Sequence, residues 1–226
     1  MTGEGKVREL LTATPFVGTG PPPDAPELRR RRIVVATTTV VGAVLTAFAL
    51  NEHGTGPRFF LLTSALAATW LLGASLSGPV PLGRLRGRHD LIGPAVLAAL
   101  IFGVFVIGEL IVSTNPYLAE QVDGIIGHAS GRVAVLAALV AVVNGVGEEL
   151  FFRGAAWSAL DRHRPEVAST VLYVAVIACS GILILVVAGV IMGAVFALQR
   201  RVSGGVLASC ITHVIWTLLM ISLLPR

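Results

Sequence analysis

Apolar residues run along this chain in long blocks, separated by short polar or Gly/Pro-containing segments. Seven blocks stand out: Ile33–Leu50, Phe59–Leu76, Leu91–Val112, Val133–Phe152, Val167–Cys179, Ile182–Leu198 and Gly205–Leu224. A spanning helix needs about 20 predominantly apolar residues, so each block reads as a membrane helix. The fifth and sixth form one apolar stretch. It is split at Ser180-Gly181, because a single helix of that length overshoots a bilayer. The pattern predicts an all-α fold, a polytopic transmembrane bundle of about seven spanning helices, built as one membrane domain over residues 29–226. Residues 1–28 carry Pro21-Pro22-Pro23 and few apolar side chains, and are expected to form a disordered cytosolic tail. Ala47-Phe48-Ala49 resembles a signal cleavage site, but the apolar run before it is longer than the usual 7–15 residues. The first block therefore reads as an anchor.

Composition agrees: 54% of the 226 residues are hydrophobic and 13% charged. The placement of charge adds orientation, since Lys and Arg concentrate in cytosolic loops. Of the 17 basic residues, 14 fall on one side, including Arg29–Arg32, Arg84, Arg86, Arg88, Arg162, Arg164, Arg200 and Arg201. The expectation is a multi-pass plasma-membrane protein with its N-terminus and active-site side facing the cytosol. Membrane orientation accounts for these charges. No basic–aromatic module is present, so a nucleic-acid partner is not implied. Cys179 and Cys210 form no CxxC pair and read as small packing residues.

Two carboxylates interrupt the fourth block, in the run Asn144-Gly-Val-Gly-Glu-Glu-Leu-Phe-Phe-Arg153. A charge at the bilayer centre costs roughly 2.5–3.5 kcal/mol on insertion scales, so an intramembrane carboxylate is a candidate functional group. Glu149 precedes Arg153 by four, the favourable ion-pair orientation on a helix, which leaves Glu148 free. Asn144 lies one turn before Glu148. On the last block Ser209, His213 and Thr217 recur every four residues as one polar stripe. If the fourth helix ends at Phe152, Glu148 lies roughly 6 Å and His213 roughly 12 Å from the cytosolic helix ends at 1.5 Å per residue. The two can then meet. The loop histidines His53, His89, His128 and His163 show no metal-ligand spacing. Gly189, Gly193 and Ala197, and likewise Ala65, Thr69 and Gly73, form small-residue stripes suited to helix contact in lipid. Gly145 and Gly147 are placed to let a neighbour approach the backbone beside the acidic pair.

The Glu-Glu-x-x-x-Arg motif at Glu148–Arg153, followed by a histidine on the last helix, resembles the CPBP family of intramembrane proteases, the CAAX-protease and bacteriocin-processing (Abi) family. The resemblance covers roughly residues 90–224, the protease-like core. It implies Glu148 as the base that activates water, Glu149 and Arg153 as a structural pair, and His213 as the first residue of a His-x-x-x-Asn motif. The family also carries a Phe-x-x-x-His motif, and is often labelled metalloprotease. Zinc is the metal implied, with Glu148 and His213 as the candidate ligands. The chain departs twice. No histidine lies between His163 and His213, and Thr217 stands where the family has Asn. At the matching depth on the fifth block only Tyr173 is polar.

These features imply an endopeptidase acting on a membrane-proximal peptide or lipid-modified protein within the bilayer. Glu148, His213 and Thr217 are its catalytic residues, supported by Glu149, Arg153 and Asn144; Thr217 and Asn144 are placed to assist the oxyanion. The missing histidine motivates an alternative, a non-catalytic peptide-binding or immunity protein. A proton-relay transporter would show duplicated halves and broken helices, and neither is evident.

Overall fold

The computed structural model describes residues 24–52, 54, 56–83, 88–127, 133–160 and 164–223. The Pro-rich tail through residue 23 and His53, His128 and His163 lie outside the described residues. Among the described residues there are eight helices and no strand. They are α1 Ala25–Leu50, α2 Pro57–Ser77, α3 Ile92–Val112, α4 Pro116–Gly127, α5 Ala134–Ala159, α6 Pro165–Ala178, α7 Leu183–Ser203 and α8 Leu207–Leu223. Five of these (α1, α2, α3, α5 and α7) are long and apolar enough to cross a membrane, while α6 and α8 are shorter apolar helices. The protein is an integral membrane helical bundle.

Helix boundaries follow local chemistry. The Asp24 carboxylate accepts from the Glu27 N–H and Pro26 occupies the first turn, a standard N-terminal signal. Helix α1 therefore begins eight residues before the apolar block, and Arg29–Arg32 are helical. Residues 25–28, expected in the tail, belong to it. The division between α6 and α7 falls at Ser180-Gly181, where Gly181 adopts φ +72°, a conformation glycine takes without steric cost. Helix α4 was not visible as an apolar block. It is amphipathic, with Leu118, Ala119, Gln121, Val122 and Ile125 half-buried and Tyr117, Glu120 and Asp123 exposed.

The largest departure is α5. It continues seven residues past Phe152 to Ala159, through a π-helical segment at Glu149–Ala156. Such wide turns are frequent at functional sites. Phe151 through Trp157 are all buried, as befits a helix surrounded on every side. The helix contacts explain this. Ala134–Glu148 packs between α2 and α8, whereas Glu149–Ala156 touches α1, α2, α6, α7 and α8. Helices α1, α2, α5, α8, α7 and α6 close a ring, with α3 outside against α8. Helix α5 starts in the wall of that ring and finishes in its centre.

Small residues set the close approaches, as expected where helices pack in lipid. Gly42 of α1 receives the Trp70 indole, and Gly73 of α2 receives Thr38. On α7, Gly189 packs on Ile177, and Gly193 on Thr170 and Tyr173 of α6. The Gly-Val-Gly segment does the same work on α5, with His213 lying against Gly145 and Trp70 against Gly147.

Candidate active site

The long α5 relocates the acidic pair. Glu148 lies eleven residues before Ala159, roughly 16 Å from that end at 1.5 Å per residue. The reading of Glu148 about four residues from the helix end is therefore corrected: the pair sits mid-helix, where the π-helical segment begins. Sequence periodicity missed this because Arg153 looks like a helix-terminal charge. In fact Arg153 is completely buried.

Glu149 and Arg153 form a buried ion pair, with Arg153 Nη1 3.0 Å from Glu149 Oε1 and both side chains 0% exposed. The guanidinium also donates to the Gly193 carbonyl at 3.3 Å and lies over the Tyr173 ring, 4.6 Å from its centroid. A buried charge needs a partner and hydrogen bonds to be tolerated, and Arg153 has both. Its backbone carbonyl accepts from the buried Arg200 Nε at 3.1 Å, and Arg200 stacks on Trp157.

The imidazole of His213 sits nearer to Glu149 than the sequence suggested. Its Nδ1 is 3.5 Å from Glu149 Oε1, longer than a good hydrogen bond but close enough for an electrostatic contact. The opposite edge, with Nε2, faces Gly145. Phe196 and Trp216 flank the ring at centroid distances of 5.1 and 5.9 Å. The Ser209 hydroxyl, one turn earlier on the polar stripe, donates to Val206 O.

Glu148 points elsewhere. Its Oε2 accepts a hydrogen bond from the Tyr173 hydroxyl at 3.1 Å. Tyr173 on α6 thus occupies the position facing Glu148. The one available signal for it was its being the sole polar side chain among residues 173–177.

Glu148, Tyr173, His213 and Thr217 line one cavity of about 370 Å³, together with Asn144, Gly145 and Trp216; most other lining side chains are apolar. This size and lining suit a small apolar ligand or chain segment oriented by a few polar groups. Asn144 contributes less donor capacity than expected. Its Nδ2 donates to Thr63 O at 3.0 Å and to Val140 O at 3.1 Å. Both amide hydrogens are spent, and the remaining Oδ1 is an acceptor. Asn144 therefore tethers α5 to α2.

A resident metal does not fit these residues. A catalytic zinc takes three protein ligands, and among the described residues no three His, Cys, Asp or Glu side chains converge. Tyr173 holds one oxygen of Glu148, while His213 Nδ1 faces Glu149.

The helices and the buried carboxylate–imidazole cluster define a polytopic membrane protein with a candidate site inside its bundle. Residues 130–219 are similar to the family described as Type II CAAX prenyl endopeptidase Rce1-like. No curated protein matches the chain significantly, and no solved structure does.

Proposed function

We propose that the protein is an intramembrane endopeptidase that hydrolyses a peptide bond with a water activated by Glu148. The observation that carries this reading is the convergence of Glu148, Tyr173, His213 and Thr217 on one apolar cavity. Oε2 of Glu148 is held by Tyr173, leaving Oε1 to take a proton from water. The resulting hydroxide attacks the substrate carbonyl carbon. The Thr217 hydroxyl donates to the developing oxyanion. The C–N bond then breaks, and the proton on Glu148 passes to the departing amine, so one carboxylate acts first as base and then as acid. His213, oriented by Glu149, positions the water through the edge that faces Gly145. Apolar walls limit competing solvent and strengthen these interactions. No step passes through a metal. The proposed substrate is a peptide or lipid-modified protein at the membrane, and the basic loops support a plasma-membrane protein with a cytosolic N-terminus.

The test is reconstitution in liposomes with a membrane-proximal peptide substrate. Glu148→Gln should remove cleavage while the folded protein elutes and melts as the wild type does. Full activity in that variant would sink the assignment. A second reading, a non-catalytic peptide-binding member, is favoured by the phenol that occupies Glu148 and by the lack of a second histidine. Under it, wild-type protein binds the peptide without cleaving it, and Glu148→Gln with His213→Ala changes neither binding nor phenotype.

A further inference from the structure

Two neighbouring arginines lie in the last turn of α7, and they are used differently. Arg201, only partly buried, pairs with Glu166 at 2.7 Å. Arg200 is 1% exposed. It forms no ion pair among the described residues, and its Nη2 has no hydrogen-bond partner. Burying a cation without a counter-ion is costly, and membrane orientation would be served as well by an arginine in water. Nor does Arg200 line the cavity.

What Arg200 touches is the backbone of α5. An α-helix sends each N–H to the carbonyl four residues back, so the Trp157 N–H would belong to Arg153 O. In the π-helical segment it goes to Phe152 O and Gly154 O instead. The Arg153 carbonyl between them accepts from Arg200 Nε at 3.1 Å, and the guanidinium lies over the Trp157 ring, 5.2 Å from its centroid. The same face of α7 grips the Arg153 side chain, since Gly193, Phe196 and Arg200 recur at i, i+3 and i+7. Gly193 O accepts from Arg153 Nη2 at 3.3 Å. The Phe196 ring lies 5.5 Å from the Arg153 guanidinium and 5.1 Å from the His213 ring.

We propose that Arg200 is a positioning residue of the candidate site. By holding the Arg153 carbonyl it keeps α5 in the wide register that sets Glu149 against His213. Released, that carbonyl would take the Trp157 N–H in the ordinary α manner, and the turn would tighten. Glu149 would then rotate about the helix axis relative to α8, and the imidazole would lose the carboxylate 3.5 Å from its Nδ1. Arg200 acts through Arg153 and Glu149 and meets no substrate. Its kinetic consequence rests on the peptidase reading; its effect on His213 does not.

Arg200→Gln and Arg200→Met form a matched pair. The first places an amide N–H donor where arginine carries Nε, the second a methyl group, and both remove the charge. Ring-nitrogen NMR signals of isotope-labelled histidine, assigned by their loss in His213→Gln, report the imidazole. Arg200→Gln should leave the His213 signals where wild type has them, and Arg200→Met should shift them. On a membrane-proximal peptide, Arg200→Met should lower kcat roughly tenfold at unchanged KM, the size of one lost hydrogen bond, and Arg200→Gln should restore most of it. Equal behaviour of the two variants overturns the inference, as does a wild-type His213 signal in Arg200→Met. Should Arg200→Met fail to fold, Arg200→Lys replaces it, since it keeps the charge but carries a methylene at the Nε position. A wild-type signal in Arg200→Gln with a shifted one in Arg200→Lys then supports the inference, and equal signals overturn it. If wild type itself never cleaves, the peptidase reading fails, and the imidazole signals still decide the role of Arg200.

Discussion

The Tyr173 hydroxyl donates to Glu148 Oε2 at 3.1 Å, so the carboxylate nearest the cavity floor is held by a phenol on the neighbouring helix. Glu149, its neighbour in sequence, is bound instead to Arg153 and faces His213. Two adjacent carboxylates thus have separate sets of partners.

Removing the phenol tests its positioning role. Tyr173→Phe keeps the ring that packs on Phe152 and under Arg153 but deletes the donor. A hydrogen bond to a charged group is worth about 1.5–3 kcal/mol, so kcat should fall roughly 10- to 100-fold. KM and the melting temperature should change little. A matching rise in KM would mean Tyr173 serves substrate binding alone.

The ion pair should behave oppositely. Breaking a buried pair by removing one partner costs about 3–5 kcal/mol, and both side chains here are fully buried. Glu149→Met and Arg153→Met should each lower the yield of monodisperse protein in detergent. The double substitution should recover part of the loss, because no single charge is left uncompensated. Size-exclusion profiles and thermal melts of the three variants measure this.

Two glycines separate packing from chemistry. A methyl at Gly145 would meet the His213 ring at 3.0–3.2 Å, so Gly145→Ala should displace the imidazole and reduce cleavage while the bundle melts normally. A methyl at Gly42 would overlap the Trp70 indole. Overpacking costs about 1–3 kcal/mol, and Gly42→Ala should destabilise the protein with much less effect on kcat of the fraction that folds.

Chelation addresses the donor set. With no three ligating side chains converging among the described residues, 1,10-phenanthroline should leave cleavage unchanged. Inhibition that zinc reverses would show that a metal participates.

Much of the helix order is readable from the chain because spanning helices need long apolar runs. The break at Ser180-Gly181, the Glu149–Arg153 pair and the close approach at Gly145 are all legible. They depend on local rules: a permissive glycine, an i,i+4 spacing, a missing side chain. The continuation of α5 to Ala159 is not legible. Arg153 and the alanines beyond it look like a helix end, and only the surrounding ring makes their burial favourable. For the same reason the depth of Glu148 along its helix was misjudged. The preference of His213 for Glu149 depends on rotation between α8 and α5, which side-chain spacing within one helix does not encode. Helix α4 escaped because its apolar face is a stripe and not a block.

A helix that starts in the wall and ends in the middle makes the bundle a cup. The aromatic stack of Trp70, Phe151 and Phe152 is its base, and Glu148 lies above it. A proton that reaches this carboxylate therefore leaves by the way it came. A carboxylate held over packed rings in this way offers ions no continuous polar path past it among the described residues, so chemistry of the kind proposed would leave the gradient across the membrane insulated.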